Sequence, residues 1–368
     1  MKLSEMKKKI AILGSTGSIG KTTFNIIKKN KKDFEVVLLT TNKNIKEILK
    51  QAKKLNVNNI IIRSKKHYLK VLKNKKYKKL KIYNDFYAVN KILKKKVDYC
   101  MCAITGLPGL EPTLSFIKHS KKIAIANKES IICAWNLIQK ELIKYKTEFV
   151  PVDSEHFSIM SLIKNSNNEK IDKIYITASG GPFLNLPINK FKKISPKNAV
   201  KHPRWSMGKK ISVDSATMMN KLFEIIEAKK IFNLKYSQLK ILIHPNSYVH
   251  AIIKFNNGLT KMLIHDTDMS VPIFNSIYNN ASDYYGSKHL NFKLMNNLNL
   301  SYVNKTKFPS IKLLKKIPNN NSLFETVLIS SNDVLVDCFL NKMIKFTDIN
   351  NNLKKILNLS EFKQLKRV

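Results

Sequence analysis

The chain has 368 residues, 43% of them hydrophobic, with a formal net charge of +42. This length suffices for two or three domains. The charge is typical of nucleic-acid-binding proteins. However, it comes from lysines spread along the chain, arginine is restricted to Arg63, Arg204 and Arg367, and no zinc-finger or RNA-binding motif is present, so we expect no nucleic-acid partner.

Residues 1–150 alternate short apolar strands with helical stretches. The segments 9–14 and 34–40 are predicted strands, each followed by a helical pattern, and the sequences NIIIR, DYCMCAI and KIAIAN indicate further strands. Such a β-α rhythm is typical of a parallel sheet with helices on both faces. We therefore predict an α/β, Rossmann-like domain over residues 1–150.

A glycine-rich turn separates the first predicted strand from the first helix. Gly14, Gly17 and Gly20 follow the pattern G-x-x-G-x-x-G. At this position glycines permit a tight turn and the close approach of a pyrophosphate to N–H groups at the helix start. The turn predicts a dinucleotide site; the alternative is a tight turn without a ligand.

The end of the second predicted strand indicates which dinucleotide would bind. NAD-specific sites carry an acidic residue there, whereas this chain has TTNKN, from Thr40 to Asn44. Lys43 and the small polar side chains suit a 2′-phosphate, which favours NADP. Ordinary solvated loop residues are the alternative.

Acidic residues follow another predicted strand. Asp153 and Glu155 are two residues apart, so on extended chain their carboxylates point the same way. With Glu224 they could supply three oxygen ligands to Mg²⁺ or Mn²⁺. The neighbouring His156 is expected to be a packed or helix-start histidine.

The segment 151–278 is predicted to be an α+β domain with an antiparallel sheet. A strand ends in the turn of Ser179 and two glycines, which suits phosphate binding or is a plain turn. A stretch without periodicity follows, with a candidate flap at about 196–210. Asn257 and Gly258 predict a hairpin.

A helix in this segment carries Asn220, Lys221 and Glu224 on one face, because they are three and four residues apart. A cation, an amide and a carboxylate together suit a phosphorylated ligand plus a metal. The alternative is an amphipathic helix with an ordinary ion pair.

The rest of the chain is predicted to be a linker over 279–310 and a small helical domain over 311–368. The four cysteines give neither a metal quartet nor a disulfide framework. No apolar run approaches the length of a membrane span, and the N-terminus lacks a signal-peptide pattern. These features favour a reduced, cytoplasmic protein without a membrane partner.

Five ordered motifs resemble one enzyme family. GSTGSIG, ANKES, PVDSEHFS, ASGGPF and HPRWSMGKKISVDSATMMNKLFEIIEA are together similar to 1-deoxy-D-xylulose 5-phosphate reductoisomerases. The resemblance implies conversion of that sugar phosphate to 2-C-methyl-D-erythritol 4-phosphate in the non-mevalonate route to isoprenoids. It also implies NADPH and a divalent cation, Mg²⁺ or Mn²⁺, as cofactors and a homodimer.

The resemblance implies roles for individual residues. NADPH would contact Thr16, Gly17, Ser18, Ile19, Lys43, Asn44, Asn127, Glu129 and Gly208. The metal would be bound by Asp153, Glu155 and Glu224. The substrate phosphate would be held by Ser179, Ser215, Asn220 and Lys221. The sugar backbone would contact Lys128, Ser154 and His202, in addition to the metal-binding Glu155 and Glu224. The catalytic set would be Lys128, Asp153, Glu155, Glu224 and His202, with Trp205 in the closing flap.

Two departures and two rivals remain. Asn42 stands where the family often has glycine, and the C-terminal part is shorter than usual. One rival is a basic nucleic-acid-binding protein, which the spread of the lysines argues against. The other is another NADP-dependent oxidoreductase, such as a semialdehyde dehydrogenase. That class needs a thiol nucleophile partnered by histidine, and no motif around Cys133 or the other cysteines supports one.

Overall fold

The computed structural model describes residues 6–164, 166, 170–205, 207–278, 286 and 291–368. By internal packing the chain forms two compact units. The first comprises Met1–Ser130, Ala134–Asp153 and Met269–Tyr285. The second comprises Ile131–Cys133, Ser154–Asp268 and Gly286–Val368.

A seven-stranded parallel sheet forms the centre of the first unit. Its strands are β1 (Lys8–Leu13), β2 (Phe34–Thr41), β3 (Asn59–Ile62), β4 (Lys81–Tyr83), β5 (Val97–Cys102), β6 (Ser120–Ile125) and β7 (Glu148–Pro151). They lie in the order β4-β3-β2-β1-β5-β6-β7. The order reverses at β1, and in such sheets ligands bind at the carboxyl ends of the strands beside this reversal.

Helices accompany this sheet. They are α1 (Ser18–Lys29), α2 (Ile45–Leu55), α3 (Lys65–Leu72), α4 (Val89–Ile92), α5 (Leu110–Ile117), α6 (Lys128–Tyr145) and, from later in the chain, α11 (Ser270–Ile277). Apolar side chains of β1, β2 and β3 are fully buried with those of α1 and α11 in one core. The hydroxyls of Tyr99 on β5 and Ser276 on α11 hydrogen-bond at 2.7 Å, which fixes α11 to the sheet.

The second unit contains a five-stranded mixed sheet. Its strands are β8 (Ile171–Ala178), β9 (Leu239–Ile243), β10 (Val249–Phe255), β11 (Thr260–Ile264) and β12 (Ser301–Tyr302), in the order β11-β10-β8-β9-β12. The predicted hairpin joins β10 to β11, and Gly258 has a φ of +88° there. The prediction of an antiparallel sheet is wrong for one pair of strands, because β8 and β9 pair in parallel.

Helices complete the second unit. They are α7 (Ser154–Lys164), α8 (Pro196–Ala199), α9 (Lys209–Ala216), α10 (Met219–Ile231), α12 (Phe292–Met295), α13 (Phe324–Leu340), α14 (Phe346–Ile356) and α15 (Ser360–Gln364). Aromatic rings join the C-terminal helices to the rest of this unit, since Phe346 contacts Phe183 and Phe191 with ring centroids 5.3 and 6.0 Å away. The α/β fold class with a helical C-terminal region is confirmed.

The boundaries of the units differ from the predicted domains. By packing, α11 belongs to the first unit, and the C-terminal helices belong to the second. Of the predicted linker over 279–310, residues 279–285 and 287–290 lie outside the described residues, while α12 and β12 form in the remainder. Within the part of the chain that the structure describes, none of the helices combines the length and apolar character that a transmembrane helix needs.

Candidate active site

The glycine-rich turn between β1 and α1 has a tight backbone geometry. Gly14 has a φ of +76°, and the N–H of Gly17 donates to the Gly14 carbonyl oxygen at 3.1 Å. A Cβ atom on Gly20 would lie 2.3 Å from that same oxygen, so only glycine lets α1 approach the turn this closely. The first N–H groups of α1, which opens with Ser18 and Ile19, lack partners within the helix and suit an anionic ligand.

Hydrogen bonds hold this turn against the end of β2. The N–H of Gly14 donates to Thr40 Oγ1 at 2.8 Å, and the N–H of Ser15 donates to the Thr40 carbonyl oxygen at 3.0 Å. The hydroxyls of Thr16 and Thr41 lie 2.8 Å apart. The small polar residues of the strand end thus have a structural role in shaping the turn.

A cavity of about 500 Å³ opens beside this turn. Its lining is Gly14, Thr16, Gly17, Thr40, Thr41, Asn42, Arg63, Phe86, Ala103, Ile104, Thr105, Pro108, Glu111 and Pro112. Lys43 and Asn44, predicted to lie near the 2′-phosphate, are exposed and are not part of this lining. Asn44 instead caps α2, because its side chain accepts a hydrogen bond from the N–H of Glu47 at 3.2 Å.

Asn127 does not line the cavity but hydrogen-bonds to a residue that does. Its side-chain nitrogen donates to the carbonyl oxygens of Ile104 at 2.5 Å and Gly106 at 2.8 Å, and its oxygen caps α6 by accepting from the N–H of Ser130. Since Ile104 lines the cavity, Asn127 positions part of the wall. Glu129 lies in the first turn of α6 and is buried.

Lys128 and Asp153 form an ion pair at the carboxyl ends of β6 and β7. Lys128 is the first residue of α6, and its Nζ contacts Asp153 Oδ2. The two side chains are 12% and 20% exposed, so the pair is only partly screened by water. Asp153 directly precedes α7 in the chain.

A buried charged cluster lies on α7 and α10 in the second unit. Lys221 Nζ lies 2.7 Å from Glu155 Oε1 and 2.5 Å from Glu224 Oε2. The Asn220 side-chain nitrogen donates to Glu224 Oε1 at 2.5 Å. Ser154 Oγ donates to Glu155 Oε2 at 2.5 Å. The three- and four-residue spacing that the sequence indicated on α10 therefore brings these polar groups together.

The electrostatics of this cluster favour cations. Burial opposes the charge of the Lys221 ammonium, but the attraction of Glu155 and Glu224 and their hydrogen bonds outweigh it and raise the pKa of Lys221 above its usual range. Glu155 and Glu224 each offer a carboxylate oxygen, and these oxygens lie within 4.8 Å of one another. Asn220 Oδ1 is buried and accepts no hydrogen bond from the described residues. Such an oxygen-rich set suits a hard divalent cation and substrate hydroxyl groups.

His156 is not part of this polar set. It is fully buried, and its Nε2 lies 2.9 Å from the Glu224 carbonyl oxygen. As expected for a packed histidine, it fixes the backbone of α10 where Glu224 stands.

Ser179 and His202 are in direct contact. Ser179 Oγ lies 3.0 Å from His202 Nε2 and accepts from the N–H of Gly181 at 3.1 Å. A Cβ atom on Gly181 would lie 2.9 Å from the Ser215 carbonyl oxygen, so this turn packs directly on the last turn of α9. Two of the serines predicted to hold a phosphate are thereby brought into one region.

The hydrogen bonds of His202 identify its tautomer. Its Nδ1 accepts from the N–H groups of Arg204 at 3.2 Å and Trp205 at 2.9 Å, so the proton resides on Nε2, which donates to Ser179. Burial, followed by repulsion from the Lys221 ammonium, lowers the pKa of His202 to about 4. The imidazole is therefore neutral at pH 7, and the Ser179 hydroxyl proton is left to donate to a ligand.

Groups of β10 and of the loop before it contact residues of the predicted flap. The Arg204 guanidinium donates to the Pro245 carbonyl oxygen at 3.1 Å and to Asn246 Oδ1 at 2.8 Å. The Trp205 ring meets the His250 ring edge-on, with centroids 6.1 Å apart. At its far end Gly208 precedes α9, and a Cβ atom there would meet nothing within 4 Å. Ser206 lies outside the described residues.

Two sets of residues were not predicted from the sequence. Arg63 and Phe86 line the cavity, and the rings of His250 and His265 stack with centroids 3.6 Å apart behind Trp205. Arg63 could have been found, since it is the last residue of the predicted strand NIIIR, whose carboxyl end faces the ligand edge. The histidine stack leaves no comparable signal in the sequence.

Comparisons with known proteins find one enzyme family along most of the chain. The family model of 1-deoxy-D-xylulose 5-phosphate reductoisomerase matches residues 10–135. The model of the 1-deoxy-D-xylulose 5-phosphate reductoisomerase C-terminal domain matches residues 149–232. A further model, of the DXP reductoisomerase C-terminal domain, matches residues 264–368. The 1-deoxy-D-xylulose 5-phosphate reductoisomerase of Pelagibacter ubique (strain HTCC1062) is 59% identical over 361 residues, which are 98% of this chain and 93% of the relative.

Solved structures give the same result. The reductoisomerase from Zymomonas mobilis in complex with NADPH has a TM-score of 0.85 at 30% identity, covering 98% of this chain and 95% of that one. A crystal structure of DOX-P reductoisomerase with NADPH, fosmidomycin and magnesium has a TM-score of 0.88 at 32% identity, covering 97% and 90%.

Proposed function

Because the chain belongs to the 1-deoxy-D-xylulose 5-phosphate reductoisomerase family, we propose that it isomerises and reduces 1-deoxy-D-xylulose 5-phosphate to 2-C-methyl-D-erythritol 4-phosphate. The reaction uses NADPH and a divalent cation and serves isoprenoid precursor synthesis by the non-mevalonate pathway. The observation that carries this proposal is the buried group of Glu155, Lys221 and Glu224. It provides both the oxygen ligands for a cation and a positive charge for a phosphorylated substrate.

NADPH binds in the cavity of the first unit. The turn from Gly14 to Gly17 and the start of α1 take the pyrophosphate, because the N–H groups of a helix start attract anions. In this proposal Ser18 and Ile19 contribute backbone groups there. Lys43, Asn44, Asn127, Glu129 and Gly208 keep their predicted cofactor role as part of the proposal. Residues 1–150 thus form the cofactor domain, and 151–278 supply substrate and metal groups.

The cation is held by Asp153, Glu155 and Glu224. The chemistry of the donor set supports this, since carboxylate oxygens are the ligands that Mg²⁺ and Mn²⁺ prefer. When bound, such a cation polarises the carbonyl and hydroxyl oxygens of the substrate as a Lewis acid. Lys128, paired with Asp153, orients that carboxylate and contacts the sugar backbone.

The substrate phosphate meets Ser179, Ser215, Asn220 and Lys221. In the structure Lys221 pairs with both Glu155 and Glu224 and compensates part of their negative charge. With a cation on the same carboxylates, the Lys221 ammonium group would become available to the phosphate. His202 keeps the Ser179 hydroxyl proton directed to a ligand by donating to its oxygen. Trp205 and its loop exclude water from the reacting groups, and the aldehyde formed by rearrangement takes a hydride from NADPH.

We further propose that the protein is a cytoplasmic homodimer. Cys100, Cys102 and Cys338 are free thiols in the structure, which fits a reducing compartment. The dimer is the assembly that the family resemblance implies. Sedimentation of the purified protein at micromolar concentration tests it, and a monomer under assay conditions would contradict it.

The decisive experiment for the activity is an NADPH-oxidation assay with 1-deoxy-D-xylulose 5-phosphate, with and without Mg²⁺ or Mn²⁺. We expect turnover only with both substrate and metal. Glu224→Gln removes a buried charged ligand and should lower turnover at limiting Mg²⁺ by at least about 100-fold, since electrostatic groups at reacting centres contribute on this scale. NADPH binding, measured by fluorescence titration, should persist in this variant. Normal turnover of Glu224→Gln at limiting Mg²⁺ would refute the metal assignment.

A further inference from the structure

Arg63 occupies the place in the cavity where the adenine ribose of a dinucleotide is expected. It directly follows β3, and its N–H donates to the carbonyl oxygen of Thr41, the last residue of β2, at 3.0 Å. The next N–H, from Ser64, donates to the carbonyl oxygen of Asn42 at 3.1 Å. The ends of β2 and β3 are thus in register, and both Asn42 and Arg63 line the cavity.

The guanidinium group is held but not neutralised. Its Nη1 donates to the Asn84 carbonyl oxygen at 3.0 Å, and its Cζ lies 5.5 Å from the centroid of the Phe86 ring. Within the described part of the chain it makes no ion pair with a carboxylate. A guanidinium has five N–H donors in one plane. With one donor used and the ring on one face, the other donors remain for an anion in that plane.

The surroundings select the kind of anion. In this fold the second strand ends at the adenine ribose, and an acidic residue there would read the ribose 2′-hydroxyl. Here the strand end has Thr40, Thr41 and Asn42. One carboxylate, Glu111, does line the cavity, but it lies in the first turn of α5, which follows β5 on the other side of β1. Positive charge therefore dominates the β2–β3 side.

Resting on the proposed NADPH-dependent function, we propose that Arg63 is the residue that binds the 2′-phosphate of the cofactor and sets the preference for NADPH over NADH. A planar fork of donors matches a phosphate group bidentately, which an ammonium group cannot do. This assignment differs from the expectation based on Lys43, because both side chains are exposed but only Arg63 lines the cavity.

The test measures the 2′-phosphate separately from the rest of the cofactor. Binding of 2′,5′-ADP and 5′-ADP is followed by isothermal titration calorimetry for the wild type, Arg63→Gln, Arg63→Lys, Lys43→Gln and Lys65→Gln. Lys65 is an exposed cation two residues away that does not line the cavity, so it is the matched control for loss of charge. The ratio of kcat/KM with NADPH to kcat/KM with NADH is measured for the same proteins.

Arg63→Gln should weaken 2′,5′-ADP binding about 10- to 100-fold, the usual loss for hydrogen bonds to a charged group, and should lower the NADPH preference equally. Binding of 5′-ADP should change less than about threefold, Arg63→Lys should recover only part of the loss, and Lys65→Gln should behave as the wild type. Equal weakening of both nucleotides by Arg63→Gln would mean that Arg63 stacks on adenine and would overturn the proposal. So would a preference that survives in Arg63→Gln but is lost in Lys43→Gln. A wild type that oxidises no NADPH with substrate would instead contradict the proposed function itself.

Discussion

The hydrogen bonds of Lys221 and His202 in the second unit depend on their protonation states. Lys221 is charged because two carboxylates surround it, and His202 is neutral because it is buried beside that charge. The Lys221 ammonium group therefore attracts the two carboxylates and also lowers the pKa of His202. The neutral imidazole can accept from the N–H of Trp205 and donate to Ser179 at once.

The state of His202 predicts a pH effect on stability. Its pKa is about 4 when folded and ordinary, about 6.5, when unfolded. The unfolded chain thus binds the proton first, so the contribution of neutral His202 is complete above about pH 6.5 and is lost as the pH falls towards 4. We expect the difference in unfolding free energy between wild type and His202→Gln to shrink on acidification by on the order of 1 kcal/mol, allowing for solvent screening.

Urea unfolding of both proteins at about pH 7 and about pH 4.5 measures this effect. The comparison with His202→Gln is needed because carboxylates and other histidines titrate in the same range. A difference between the two proteins that does not change with pH would contradict the lowered pKa of His202.

The polar residues of the site were predictable from the sequence where chemistry and spacing coincide. Asn220, Lys221 and Glu224 share a helix face in any α-helix, and the structure brings them together with Glu155. Arg63 was not predicted, because in a chain with 67 lysines and arginines one more cation carries little information. Its position at the carboxyl end of a predicted strand was the one signal in the sequence, and the register of β2 and β3 shows that this position lies beside the end of β2.

Among the elements, α9 has an anchor that the sequence does not reveal. It follows the flap, and its buried Asp214 accepts from Asn332 on α13 at 2.8 Å and pairs with Lys210 at 3.0 Å. Lys210 also pairs with Asp333 at 2.8 Å. These contacts join the helix that carries Ser215 to the C-terminal helices.

Removing this anchor should destabilise the second unit. Asp214→Ala leaves the fully buried Asn332 without its acceptor and should lower the unfolding free energy by about 1–3 kcal/mol. The matched control is Asp333→Ala, which removes a carboxylate that is 31% exposed and should cost about 0–1 kcal/mol. Urea unfolding midpoints measure both, and equal losses in the two variants would contradict the assigned role of Asp214.

Whole strands and helices were largely predictable because their patterns are local. The buried strands of the first sheet are continuous apolar runs, as expected when helices cover both faces. The pairing within the second sheet was not predictable to the same degree. Between β8 and β9 lie residues 179–238 with several helices, and a connection of this kind permits the parallel pairing that a hairpin forbids.

At the scale of the whole molecule, the net charge of +42 should affect the rate of encounter with anionic ligands. Fields of this kind raise association rates and weaken as salt is added. We expect kcat/KM for the sugar phosphate to fall by about 10-fold between low and high ionic strength, with kcat nearly constant. Steady-state kinetics over a sodium chloride series measure this, and an unchanged kcat/KM would show that encounter does not limit the reaction.

The ammonium group of Lys221 between two carboxylates affects the state of the protein without magnesium. Lys221 compensates one of the two negative charges of Glu155 and Glu224, so part of the repulsion between these carboxylates is relieved before any cation binds. The tethered ammonium is also a permanent competitor of the metal. We therefore expect removal of magnesium to stop turnover without unfolding the protein.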